Sequence, residues 1–161
     1  MDIIVDKGCG LDVHKGTVVA CIMGTGIKKE VKTYTTMTND LLRLKEWLQE
    51  NGITHVAMES TGVYWKPVFN ILEDRFEVIL VNARHVKNVP GRKTDVQDSE
   101  WLCKLLRSGL VKGSFIPPRD IRELRDLTRH KRKLIQAIVA EKQRVEKVLE
   151  DANIKLSSIA S

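Results

Sequence analysis

Four acids stand out by where they fall. Asp12 lies in GLDVHK, and Glu59 ends VAME directly before STG. Asp95 and Asp98 lie in KTDVQDSEWLCKLL, where Leu102 and Leu105 mark an apolar helical row. Stepping back along that row by four and then three residues lands on the two aspartates. Each acid alone has an ordinary explanation. Asp12 suits an exposed strand end, and Glu59 suits the start of a following helix, whose dipole favours negative charge. Asp95 suits an N-cap with Asp98 three residues on. Capping leaves unexplained why both fall on the row expected to face a sheet. Four carboxylates converging from distant segments repel one another unless cations neutralise them. Mg²⁺ takes hard oxygen ligands, and two such ions roughly 3.5–4 Å apart support phosphodiester displacement. The expectation is a divalent-metal site with Asp12, Glu59, Asp95 and Asp98 as ligands and catalytic residues and Mg²⁺ or Mn²⁺ as the ion; which of Asp95 and Asp98 is a direct ligand is open.

The elements around the acids follow from turn residues and periodicity. GCGLDVHKG, GTVVACIMG and IKKEVKTYTT are separated by Gly16 and by GTG, which predicts a meander of three antiparallel strands. Thr38 or Asn39 is expected to cap an amphipathic helix, DLLRLKEWLQEN, that stops at Gly52. THVAMES and FEVILVN are short apolar strands flanking TGVYWKPVFNILED, a helix begun or kinked near Pro67. A helix between two such strands predicts a right-handed crossover and parallel pairing. The basic loop NARHVKNVPGRKT leads into a helix over 96–106. Pro117 and Pro118 in VKGSFIPPRD mark a linker, so residues 1–113 and 114–161 are expected to be separate units. From Ile121 to Leu149 no Gly or Pro occurs. Leu124, Leu127, Leu134, Ile138, Val145 and Val148 fall near heptad a and d positions there, interrupted by Lys131 and Glu141. That pattern suits a long helix or coiled-coil arm.

With 161 residues and 42% hydrophobic residues the chain can bury a core, and its net charge of +6 makes a polyanionic partner plausible. Cys9, Cys21 and Cys103 have neither CxxC nor Cys/His spacing, which argues against zinc or disulfide frameworks and for a reducing compartment. The longest apolar run, VVACIM, is too short to span a bilayer. MDIIVDKGCG carries acids where a signal peptide needs basic residues, so a cytoplasmic location is expected.

GLDVHKGTV, MESTGVYW, GRKTDVQDSEWLCKLLRSGLV, FIPP and RELRDLTRHKRKL together resemble the DEDD transposases of the insertion sequence 110 family, relatives of the Piv-type DNA invertases. The resemblance runs from about Gly10 to about Leu156, and the order Asp, Glu, Asp, Asp matches Asp12, Glu59, Asp95 and Asp98. It implies an α/β, ribonuclease H-like (RuvC-like) fold, a mixed five-stranded sheet with helices, followed by a helical coiled-coil extension that dimerises or forms a higher homo-oligomer. It also implies metal-dependent cleavage and rejoining of DNA, and binding of a structured guide RNA encoded by the mobile element. Family members continue into a domain with a nucleophilic serine. Ser157, Ser158 and Ser161 match no such motif, so the sequence is expected to represent the N-terminal part.

Further signals have two readings each. Arg84, His85, Lys87, Arg92 and Lys93 form either a solvated loop or a phosphate-binding one. Between Arg119 and Lys147 ten Lys/Arg face five Asp/Glu, with Arg129, Lys131, Arg132 and Lys133 grouped. This is either a nucleic-acid surface or the wet side of a coiled coil. His14 is a surface histidine or a neighbour of the acid site. Tyr64 and Trp65 pack in the core or stack on a base. Two rival functions remain: a stand-alone Holliday junction resolvase-like nuclease, and a non-catalytic nucleic-acid-binding and dimerisation fragment. An actin-like ATPase is set aside because no second glycine-rich phosphate loop follows another strand.

Overall fold

The computed structural model describes residues 4–59, 62–82, 86 and 97–155. They divide between two compact units, Met1–Phe115 and Ile116–Ser161. The first contains the meander β1 (Gly8–Val13), β2 (Thr17–Gly24) and β3 (Ile27–Thr35), then α1 (Thr38–Glu50), β4 (His55–Glu59), α2 (Trp65–Leu72), β5 (Glu77–Val81) and α3 (Asp98–Arg107).

Pairing follows the local turns. β1 and β2, then β2 and β3, are antiparallel, while β4 joins β1 and β5 joins β4 in parallel. The sheet order is β3-β2-β1-β4-β5. This is the mixed five-stranded sheet expected for a ribonuclease H-like fold, and it makes β1 the central strand. After α3 the chain returns along β5 through a Val81–Gly113 bridge and a hydrogen bond from Ser114 N–H to Leu80 C=O (2.7 Å).

Strand alternation sorts the core into two layers. Leu11, Val13, Val18, Ala20 and Met58 are buried on one side. There Trp47 of α1 meets Tyr34 of β3 at 6.0 Å between ring centres. On the other side α3 packs against β1, β2 and β4. Its Trp101, Leu102, Leu105 and Leu106 share a cluster with Ala57 and Val81. Cys103 meets Cys21 and Met23 there. The Cys103 thiol donates to Gly8 C=O at 3.2 Å. Its hydrogen bond to Cys21, and then burial, push that thiol well above the ordinary cysteine range, so it stays a packing group rather than a nucleophile.

Two caps differ from expectation. The N-cap of α1 is Met37, and neither Thr38 nor Asn39 caps. Asp40, in the third helical position, instead reaches back to Thr35 Oγ1 (2.6 Å) and Thr35 N–H (3.3 Å), so the acid half of a capping box does the tying. The helix stops at Gly52 as foreseen, and Gly52 adopts a left-handed φ of +66°. α3 begins at Asp98 with Gln97 as its N-cap and no side-chain cap bond, two residues later than expected.

The second unit is described by itself. Among its described residues it contains one helix, α4 (Arg119–Asp151, 33 residues), with no buried residue. At 1.5 Å per residue it extends about 50 Å. Leu124, Leu127, Leu134, Ile138, Val145 and Val148 are exposed along it. Among the described residues no helix is long and apolar enough to cross a membrane.

Candidate active site

The site is built by the ladder between β1 and β4. Leu11 of β1 stands opposite Met58 of β4. Asp12 and Glu59 are the residues that follow this last pair on the two strands, and side-chain alternation puts both on one face of the sheet. Asp12 shares that face with Gly8 and Gly10. A Cβ added at Gly8 would meet Leu106 Cδ2 at 3.1 Å, and one added at Gly10 would meet Ser99 O at 2.1 Å and Cys103 N at 2.5 Å. As β1 advances from Gly8 to Gly10, the residues above it step back from Leu106 to Ser99. Helix α3 therefore runs antiparallel to β1, and its first residue, Asp98, opens over the end that carries Asp12 and Glu59.

Asp12 is partly open, its side chain 23% exposed, and His14 Nε2 lies 3.1 Å from its Oδ2. The histidine is thus a neighbour of the acid, not merely a surface residue. Asp98 is exposed, whereas the next residue, Ser99, is fully buried. For Asp98 this differs from the expectation that it continues the buried row. Asp98 is the first residue of α3, and burial along the helix begins one residue later, at Ser99. Asp95 lies outside the described residues, as do Arg84, Lys87, Arg92 and Lys93. Arg129, Lys131, Arg132 and Lys133 are exposed on α4. Among the described residues no three acid, histidine or cysteine side chains form a metal-ligand group. The donors brought to this edge are carboxylate oxygens, which suit a hard divalent cation.

Two supports for the site were not foreseen. Gly10 removes the side chain that would hold α3 away from β1, and the signal for it was the alternation Gly8, Gly10, Asp12. An ion cluster then ties the first turn of α3 to an edge strand. Lys104 reaches Glu100 at 2.7 Å and Lys29 of β3 reaches it at 3.1 Å. These bonds, Lys104 first, hold the Glu100 carboxyl below the usual glutamate range. No short-range pattern links Lys29 with Glu100, which lie 71 residues apart.

The model of a family described as Transposase, the DEDD transposases of insertion sequence 110, matches residues 9–154. The chain belongs to this transposase family. A comparison with curated proteins finds no match. Among solved structures it is similar to RuvC of Thermus thermophilus in complex with Holliday junction substrate (TM-score 0.48, 11% identity, 68% of this chain and 99% of that one). A second Thermus thermophilus RuvC structure gives a TM-score of 0.46 at 12% identity, over 67% of this chain and 99% of that one. The ROK hexokinase from Thermus thermophilus follows (TM-score 0.35, 20% identity, 50% of this chain and 35% of that one).

Proposed function

We propose that residues 1–113 are the metal-binding, DNA strand-cleaving part of a DEDD transposase, with Asp12, Glu59, Asp95 and Asp98 holding Mg²⁺ or Mn²⁺. The observation that supports this reading is the β1–β4 register, which runs to Leu11 opposite Met58 and leaves Asp12 and Glu59 as the next residues of adjacent strands. A bound divalent ion would supply activation of an attacking oxygen and stabilisation of a departing one in phosphodiester displacement. His14 orients the Asp12 carboxylate through its Nε2 contact, and the Lys29–Glu100–Lys104 cluster holds the helix that brings Asp98. Arg84, Lys87, Arg92 and Lys93, in the sequence before that helix, would meet the phosphates of a DNA strand. The basic group at Arg129, Lys131, Arg132 and Lys133 suits the backbone of DNA or of a guide RNA.

Calorimetric titration of the chain with Mn²⁺ and Mg²⁺ tests this. Mn²⁺ should bind the more tightly of the two. Asp12→Asn and Glu59→Gln should each weaken uptake by more than about a hundredfold, the upper end of what second-shell changes cost. An intact chain that takes up neither ion at millimolar levels would leave the binding-module reading in its place.

For α4 we propose pairing with a second copy through the a and d row. A 33-residue helix with no buried residue owes little of its stability to its own unit, because helices in proteins are held mainly by packing of an apolar face. Sedimentation velocity should show a dimer or higher oligomer, and Ile138→Asp should yield monomers. A wild-type chain that is monomeric at high concentration would remove this proposal.

A further inference from the structure

The segment after Glu59 separates two adjacent aromatics. Trp65 is partly buried, edge-on to Phe69 at 5.7 Å between ring centres. Tyr64 remains 41% exposed, and Val63 beside it is 64% exposed. Large apolar side chains next to each other in solvent at the rim of a site mark a contact surface. Gly62 has φ +57°, and a Cβ placed on it would lie 3.7–3.8 Å from Cδ2 and Cε2 of Tyr64. The ring is therefore seated by one edge on the turn that carries it, while its remaining surface is open.

The location says what the ring meets. Tyr64 follows Glu59 by five residues, so the chain holds it within about 17 Å of that acid. It also stands immediately before α2, at the carboxyl edge of the sheet, where open α/β sheets take their ligands. The same edge carries His14 and Lys15 in the β1–β2 turn, both exposed. That turn is tied to the start of α1 by bonds from Thr36 Oγ1 to Lys15 C=O (3.0 Å) and from Thr36 N–H to Gly16 C=O (3.2 Å). An open aromatic face, an aliphatic neighbour and a cationic turn beside carboxylates are together the requirements for holding one unstacked base while its phosphate lies nearby. Breaking and rejoining strands requires bases to leave their duplex stack, which costs a few kcal/mol unless the protein supplies a replacement surface.

We infer that Tyr64, flanked by Val63, is a stacking platform for an unpaired base of the DNA strand engaged at the acid edge. The inference rests on the proposed strand-cleaving role of that edge. Tyr64 works here through its ring face, which is sequence-tolerant because every base presents a π surface. Its two side-chain torsions make ordering inexpensive relative to a longer side chain.

The test uses the whole chain and short single-stranded DNA carrying one 2-aminopurine, with the probe base moved along the strand. Divalent metal is withheld, so the readout does not depend on metal at the acids. Stacking should quench the probe at one position or a few. Tyr64→Phe should keep the quench, whereas Tyr64→Ala should abolish it and weaken binding by about 5- to 150-fold. Circular dichroism of both variants checks that α2 has not been lost. Tyr64→Ala behaving as wild type would overturn the inference, as would absence of quench from the wild type at every position. Stronger quench with RNA of the same sequence would overturn the assignment to DNA. Metal uptake is measured separately, so loss of the stacking result leaves the acid site standing, and loss of metal uptake leaves the stacking result standing.

Discussion

Gly10→Ala is expected to destabilise the first unit by about 3 kcal/mol or more, at or beyond the upper range for forcing extra volume into a packed interior. The added methyl would lie 2.1 Å from Ser99 O and 2.5 Å from Cys103 N. Both are backbone atoms of α3, so no side-chain rotation relieves the clash. The helix must lift or slide along its length, which loosens Trp101, Leu102, Leu105 and Leu106 against Ala57 and Val81. Thermal unfolding followed by circular dichroism should show a midpoint lowered by roughly 10 °C or more. Because the same movement carries Asp98 away from Asp12, Mn²⁺ affinity should fall even where the protein remains folded. A melting curve and metal affinity matching wild type would show that α3 does not sit as closely on β1 as described.

Leu11→Ala should have a comparable energetic effect through the opposite cause. Leu11 is fully buried on the other face of the same strand, between Ala20 of β2 and Met58 of β4. Truncation leaves a cavity, for which a cost of about 2–5 kcal/mol is usual. That is a large share of the roughly 5–15 kcal/mol by which domains are stable. Urea unfolding should show a lower midpoint with an unchanged slope. The acids lie on the far face, so metal affinity measured under folding conditions should stay near wild type. The contrast separates two roles of one strand. If Leu11→Ala impairs metal uptake as much as Gly10→Ala does, the two faces are not independent.

The meander was legible because Gly16 and the GTG turn punctuate it, and parallel β4 and β5 followed from two short apolar runs flanking one helix. Asp12 and Glu59 were legible as strand-end acids for the same reason. Their being neighbours was expected from topology, but the register that sets one beside the other depends on which residues pair, and β1–β4 pairing joins segments 47 residues apart (Gly8 with His55). The start of α3 was misplaced by extending a periodicity backwards. Leu102 and Leu105 imply an apolar row, yet a row says nothing about where the first turn closes. Gln97 and Asp98 are both compatible with helix or loop. Tyr64 and Trp65 illustrate the same limit: adjacent aromatics in a helical pattern point to different environments, and only the position of the helix start decides which one faces inward.

The spacing of Asp12 and Glu59 has a source unlike that of most side-chain pairs. Two neighbouring strands lie about 4.8 Å apart in any sheet, so the backbone positions that carry these carboxylates inherit a lattice constant of the sheet. Repacking the core, or exchanging one aliphatic residue for another, leaves that interval unchanged. The adjustable coordinate is α3, set upon two glycines and clamped by Lys29 through Glu100. In such an arrangement the sheet acts as a fixed jaw and the helix as a movable one. Tuning of this site, by mutation or by a bound strand, is then a matter of where the movable jaw closes.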